Sequence, residues 1–184
     1  MKKKDENRRV RMTKRLMKDA MLELLEEKEL AKISVTAICE LADVHRSTFY
    51  QYYSAPADLL REIEQDFLDM IPEPSQVHGQ KDTQKIIDVT SEFFDFVKKN
   101  ERTFRVLFNG ESGSIFMTRL VEFLCSEYVP VVNNQDELTT RFIRLYITNG
   151  AVGIMREWVY AGFPVSSQKI AEIMYTLSRK VIAS

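Results

Sequence analysis

Glycine and proline are scarce, six and five among 184 residues, and the alternation of apolar with polar residues that a half-buried strand needs is nearly missing. Short strands joined by tight turns are thereby excluded. Cysteine is scarcer still: Cys39 and Cys125 stand far apart, and neither has a Cys or His neighbour at metal-ligand spacing. A disulfide scaffold and a zinc module both fall away, leaving two expected reduced, buried thiols. Histidine occurs twice, His45 and His78, with no nucleophile elbow, phosphate-cradling glycine loop or Ser-His-Asp arrangement beside it. Acid–base equipment is meagre, so neither an enzyme nor a cofactor is expected. No apolar stretch approaches the roughly 18 residues of a membrane span, and the basic start is not followed by an apolar signal-peptide core. The chain is expected to stay in the cytoplasm, away from membranes.

What the chain does have is apolar residues, 45% of the total, enough for a substantial core. Charged residues make up 29% and nearly cancel to a net −1, which excludes a disordered polyelectrolyte. The cancellation hides an asymmetry. Nine Lys or Arg fall within residues 1–18 against only Asp5 and Glu6, so the rest of the chain carries eight net negative charges to bring the total to −1. Such an end suits a polyanion, or serves as a solubilising extension.

Apolar residues recur at three- and four-residue intervals almost everywhere, which predicts an all-α fold of about nine helices. A basic arm over 1–10 precedes a first helix from about Arg11 to Lys28, with Leu16, Met17, Ala20, Met21, Leu24 and Leu25 as its buried stripe. Ser34 is a candidate N-cap for a short helix reaching Leu41. Another short helix runs from Arg46 to Tyr52 after a tight turn at Ala42, Asp43 and Val44. Pro56 suits the first turn of a fourth helix, over which Leu59, Leu60, Ile63, Phe67 and Met70 lead to Ile71. Pro72 and Pro74 then interrupt the period, so a linker is placed at 72–81. Further helices are expected at 82–99, 101–109, 113–127, 135–162 and 166–183, the fourth of these ended by Gly162, Phe163 and Pro164. The resulting scheme has a three-helix unit over 11–53, a connecting helix over 54–71 and a larger helical domain over 82–184.

Residues 34–53, SVTAICELADVHRSTFYQYY, carry the most information. Ile38, Ala42, Val44 and Phe49 are spaced to close two short helices around a small apolar centre, the geometry of a helix-turn-helix that presents its second helix to the major groove of DNA. The outward face would then hold His45, Arg46, Ser47, Thr48, Gln51 and Tyr52. Arg46 can pair with guanine or phosphate, Gln51 with adenine, and the hydroxyls of Ser47 and Thr48 with bases or phosphate. Tyr53 is expected inside, with Tyr50 and Tyr52 turning hydroxyls towards the DNA backbone. Thr36 and Ala37, just after Ser34, could approach a phosphate through their amides. His45 lacks a second ligand nearby and reads as a turn residue facing DNA or water, not as a metal ligand.

Ser34-x-x-x-Ile38-Cys39-x-x-Ala42-Asp43-Val44-His45-x-x-Thr48-Phe49-Tyr50-x-Tyr52-Tyr53, followed by Leu59-Leu60, resembles the DNA-binding signature of TetR-family regulators over about 50 residues. The chain departs from the family pattern at Asp43, commonly Gly, at His45, commonly Ser, and at Pro56, where a lysine near the start of the fourth helix is usual. Asp tolerates a left-handed turn. Loss of the lysine removes a phosphate contact, for which the basic arm is expected to compensate. The resemblance implies a regulator, commonly a repressor, binding a two-fold symmetric DNA operator as a homodimer and released by a small effector. The alternative is a relative that has exchanged DNA for a protein partner.

The resemblance also implies dimerisation through the last two long helices. Ile170, Ile173, Met174, Leu177 and Val181 form one stripe there, and Ile147, Gly150 and Ile154 another, with glycine permitting close helix approach. These stripes either meet a second copy or cover the monomer's own core. Phe93, Phe104, Phe108 and Phe116, with Tyr146, Met155 and Trp158, are candidates to line an effector pocket, which would favour an apolar or planar compound. The same residues would serve equally as ordinary core.

Overall fold

A computed structural model describes residues 2–71, 82–108, 110–127 and 136–182, the side chains of 2–7, 110–115, 127 and 182 apart. The fold is all-helical. Its elements are α1 (Lys2–Glu27), a 3-10 turn (Leu30–Lys32), α2 (Val35–Leu41), α3 (Arg46–Tyr50), α4 (Pro56–Asp69), α5 (Thr83–Lys99), α6 (Glu101–Leu107), α7 (Gly110–Glu127), α8 (Glu137–Tyr160) and α9 (Ser167–Ile182). The expected linker at 72–81 and His78 lie outside the described residues. The described residues fall into two compact units, one holding α1–α4 and the other the greater part of α5–α9.

Several expected boundaries shift: α4 ends at Asp69, α6 at Leu107, and α7 starts at Gly110, each two or three residues from expectation. α1 starts at Lys2, not Arg11, because the basic run of Lys, Arg and Glu contains good helix formers and no breaker. α3 stops at Tyr50, two residues early. α8 is 24 residues long, shorter than expected, because Asp136 caps its start by accepting from the Thr139 amide at 3.0 Å.

In the first unit α1 packs against α2 and α4, with Met17, Ala20 and Met21 of α1, Ile38 and Cys39 of α2, and Leu59, Leu60, Ile63 and Phe67 of α4 all buried. Leu16, expected in the stripe, is 38% exposed, since it stands about 100° around the helix from Met17. Met70, just past the end of α4, is also exposed.

Charge stitches α1 to α4. Lys14 Nζ lies 2.9 Å from Glu62 Oε2, and Lys18 Nζ reaches Glu62 Oε1 at 2.6 Å and Asp66 Oδ2 at 2.5 Å. Burial pushes the Glu62 pKa up, but the bonds from Lys18 and Lys14 outweigh it and hold the carboxyl below its ordinary 4.5. Burial likewise pulls Lys18 down, yet Asp66 and Glu62 leave it above its ordinary 10.5. The lowered Glu62 gives stability that is present above 4.5 and lost as pH falls through its folded pKa; the raised Lys18 gives stability present below 10.5 and lost as pH rises through its own. Glu62→Gln should therefore cost about 1–2 kcal/mol at neutral pH, a range discounted for partial exposure. It should also remove part of the acid-induced fall in melting temperature. Equal melting-temperature profiles for variant and wild type across the acid range would show that the clamp contributes nothing.

The second unit packs α5 against α9, with Phe93, Phe94 and Val97 buried on one helix and Ile170, Ala171 and Met174 on the other. Thr83 and Tyr175 join their hydroxyls across that pair at 2.8 Å. Trp158 of α8 packs edge-on against Phe94 and Phe163 with centroids 5.3 and 4.8 Å away, and its Nε1 donates to the Val165 carbonyl at 2.9 Å. α8 ends as the glycine predicts. Gly162 takes φ 74° and Phe163 φ 60°, while Phe163 N donates to the Trp158 carbonyl at 2.9 Å and Gly162 N to the Val159 carbonyl at 3.1 Å. Both cysteines are free thiols, with Cys39 buried as expected and Cys125 only half-buried, at a position where Arg144 of α8 donates to its carbonyl.

Candidate nucleic-acid interface

Ser34 caps α2, its Oγ accepting from the Ala37 amide at 3.1 Å. That bond corrects one expectation. Ala37 is half-buried and its amide is already engaged, so it is not offered to a phosphate, whereas Ser34 and Thr36 remain exposed. α2 closes on Asp43, whose φ of 51° lies in the left-handed region, and Val44 N then donates back to the Cys39 carbonyl at 3.0 Å. Aspartate's short polar side chain tolerates that conformation where a branched residue would not, so the turn forms without glycine.

The turn aims α3. The His45 carbonyl accepts from the amides of Thr48 and Phe49 at 2.9 and 3.2 Å, starting the helix. Phe49 is fully buried, edge-on to Tyr50 at 5.7 Å and tilted against buried Tyr53 at 5.5 Å. With that side anchored, His45, Arg46, Ser47, Tyr50 and Gln51 are exposed and Thr48 and Tyr52 half-buried. Tyr52 is less available than expected, because Lys14 Nζ sits 5.6 Å from its ring and 5.3 Å from that of Tyr53. Burial raises the pKa of the Tyr53 hydroxyl, helped by Glu62.

Between α2 and α3 runs an open groove of about 330 Å³, lined by Thr36, Cys39, Glu40, Asp43, Val44, His45 and Arg46. Burial pushes the Cys39 thiol above its ordinary pKa against the pull of Arg46, so the sulfur stays protonated and acts as packing. Among the described residues no group of three or more His, Cys, Asp or Glu could hold a metal ion. Among them, too, no helix is long and apolar enough to cross a membrane.

The expected dimer stripes divide. Ile170 and Met174 are buried within their own unit, a correction that follows from the packing of α9 on α5. Ile147, Ile154 and Val181 are half-buried, while Gly150, Ile173 and Leu177 are exposed. Sequence reasoning missed Leu138 and Phe142 on this face. They are 58% and 59% exposed, in register with Tyr146 at 69%, and the four-residue spacing was the available signal. Tyr146 is thereby removed from the expected pocket lining. The other six candidates, Phe93, Phe104, Phe108, Phe116, Met155 and Trp158, are all buried. Phe104 and Phe108 stack with centroids 3.9 Å apart, and Phe116 meets Phe108 edge-on at 5.5 Å.

Comparison with known proteins places this geometry. Residues 84–180, just over half of the chain, match the TetR-type family described as a transcriptional regulator C-terminal region. No curated protein sequence matches the chain. Solved structures share the fold. A TetR transcriptional regulator from Streptococcus agalactiae 2603V superposes with a TM-score of 0.71 at 20% identity, covering 94% of this chain and 97% of its own. The dihydroxyacetone kinase operon activator DhaS gives 0.60 at 20%, covering 93% and 96%. NalD, the secondary repressor of the MexAB-OprM multidrug efflux pump in Pseudomonas aeruginosa, gives 0.61 at 15%, covering 97% of both chains. With that match across its second unit, and a helix-turn-helix in its first, the chain belongs to the TetR family of transcriptional regulators.

Proposed function

We propose that the protein is a DNA-binding regulator that acts as a homodimer, each protomer laying α3 in the major groove of a two-fold symmetric operator. The observation that carries this is the two-sidedness of α3: Phe49 is fully buried, while Arg46, Ser47, Tyr50 and Gln51 face solvent. A helix so anchored offers one guanidinium and three hydrogen-bonding side chains at a fixed orientation, which suits base edges and phosphates. Arg46→Ala should weaken operator binding about 10- to 100-fold, the equivalent of about 1–3 kcal/mol, and Tyr50→Phe by less, with melting temperature and oligomeric state unchanged. Operator selected from a random oligonucleotide pool supplies the probe. Wild-type affinity in both variants would mean that α3 is not the recognition helix.

The reading places dimerisation at the α8–α9 face, because two recognition helices held about 34–36 Å apart read successive major-groove turns on one side of DNA. Gly150 and Gly153 of α8 have no atom within 4 Å of where a Cβ would stand, which leaves room for a partner helix. Repression is the mode we assign, with release by an apolar or planar effector held among Phe93, Phe104, Phe108, Phe116, Met155 and Trp158. Its power to release DNA is bounded by its preference for one spacing of the recognition helices over the other. Both signs of control occur among the structural neighbours, since NalD is a repressor and DhaS an operon activator, and a reporter with and without the regulator decides.

A second reading, in which a protein partner replaces DNA, draws on Asp43 and Pro56. Random duplex DNA at low salt separates the two. A DNA regulator binds it and responds steeply to salt, whereas an adaptor shows no appreciable affinity.

A further inference from the structure

The cationic surplus of the first unit sits where the helix-turn-helix does not. Between residues 12 and 69, seven Lys or Arg stand against twelve Asp or Glu, whereas residues 1–11 hold six Lys or Arg against Asp5 and Glu6. Two of the seven, Lys14 and Lys18, are spent on Glu62 and Asp66 of α4. Arg15, Lys32 and Arg61 each lie within ion-pair distance of a neighbouring carboxylate. The body that presents α3 is therefore net acidic, and its own field opposes a polyanion.

The surplus is also carried in a fixed direction. α1 is unbroken from Lys2, and it passes the end of α3 at Lys14, whose Nζ lies over the rings of Tyr52 and Tyr53. At 1.5 Å per residue, Arg8 stands about 9 Å and Lys2 about 18 Å beyond that crossing. Arg8, Arg9 and Arg11 are exposed.

We propose that the first turns of α1, Lys2–Arg11, form a rigid second DNA-contacting element: a helical strut that meets the phosphate backbone on the Tyr52 side of α3 and supplies most of the salt-dependent affinity. The proposal rests on the DNA-binding reading above and divides the labour within it. Arg46 and its neighbours choose the sequence; the strut holds the duplex.

The test uses the full chain, a random-sequence duplex and a potassium chloride series. Neutralising Lys3, Lys4, Arg8 and Arg9 to Gln should reduce the slope of log affinity against log salt by about 3 to 4 per protomer. Neutralising four exposed cations elsewhere, Arg15, Lys28, Lys32 and Arg61, changes net charge equally and should leave the slope near wild type. Val10→Pro keeps every cation but interrupts α1, and should lose affinity towards the level of the first variant. Equal slopes for the two neutralised variants, or wild-type binding in Val10→Pro, would overturn the strut while leaving DNA binding intact. A wild-type chain that ignores duplex DNA at low salt would overturn the DNA reading itself, and the strut with it. Melting temperature, read for each variant, keeps a folding defect from passing as a binding one.

Discussion

Phe49→Ala should destabilise the first unit by about 3–5 kcal/mol and take DNA binding down with it. The ring is fully buried, touches Tyr50 and Tyr53, and stands where α3 turns towards α2. α3 is only five residues long, far below the roughly 12–15 residues at which an isolated helix becomes even marginal in water. Its conformation therefore depends on what its inner side buries. Removing the ring leaves a cavity and releases the outward residues together. Chemical denaturation of the variant should show the first unit unfolding early, while Phe49→Leu keeps much of the loss at bay. An unshifted unfolding midpoint in Phe49→Ala would mean that the outward face is organised by something other than this anchor.

Phe142→Glu is expected to split the proposed dimer, weakening self-association about 100-fold or more. Scattered exposed apolar residues are ordinary on a monomer surface, but Leu138, Phe142 and Tyr146 form one continuous stripe on α8, with exposed Ile173 and Leu177 on α9. Exposed apolar stripes of that kind suit the proposed interface. A carboxylate placed at its centre would have to be buried without a partner, at a cost of several kcal/mol. Sedimentation across a concentration range reads the result directly. A wild-type chain that stays monomeric, or a variant that stays dimeric, removes α8 from the interface.

Much of this architecture was legible in the sequence because its signals are local. Ser34, Pro56 and Gly162 mark helix ends through the backbone groups they satisfy or the φ they permit, and all three stand at helix ends. The outward face of α3 followed from the same logic, since burying Phe49 fixes which side remains wet. What escaped the sequence was partnership between distant segments. Nothing near Lys14 or Lys18 announces Glu62 and Asp66, 48 residues away, so the basic end read as uniformly available when two of its members are consumed. Periodicity likewise tells that a helix has an apolar stripe but not what covers it. Ile170 and Met174 looked like interface and are buried in the unit where α9 packs on α5, whereas Tyr146 looked like pocket lining and faces solvent.

The corner between α8 and α9 is sensitive to the number of residues in it. Two successive residues there, Gly162 and Phe163, take positive φ, with Phe163 held by the Trp158 ring and Val165 by the Trp158 indole nitrogen. Most surface connections accept an inserted or deleted residue. This one is held at both ends: an inserted or deleted residue would have to break the Trp158–Phe163 ring contact or the Trp158–Val165 hydrogen bond, and so loosen the seat of α9.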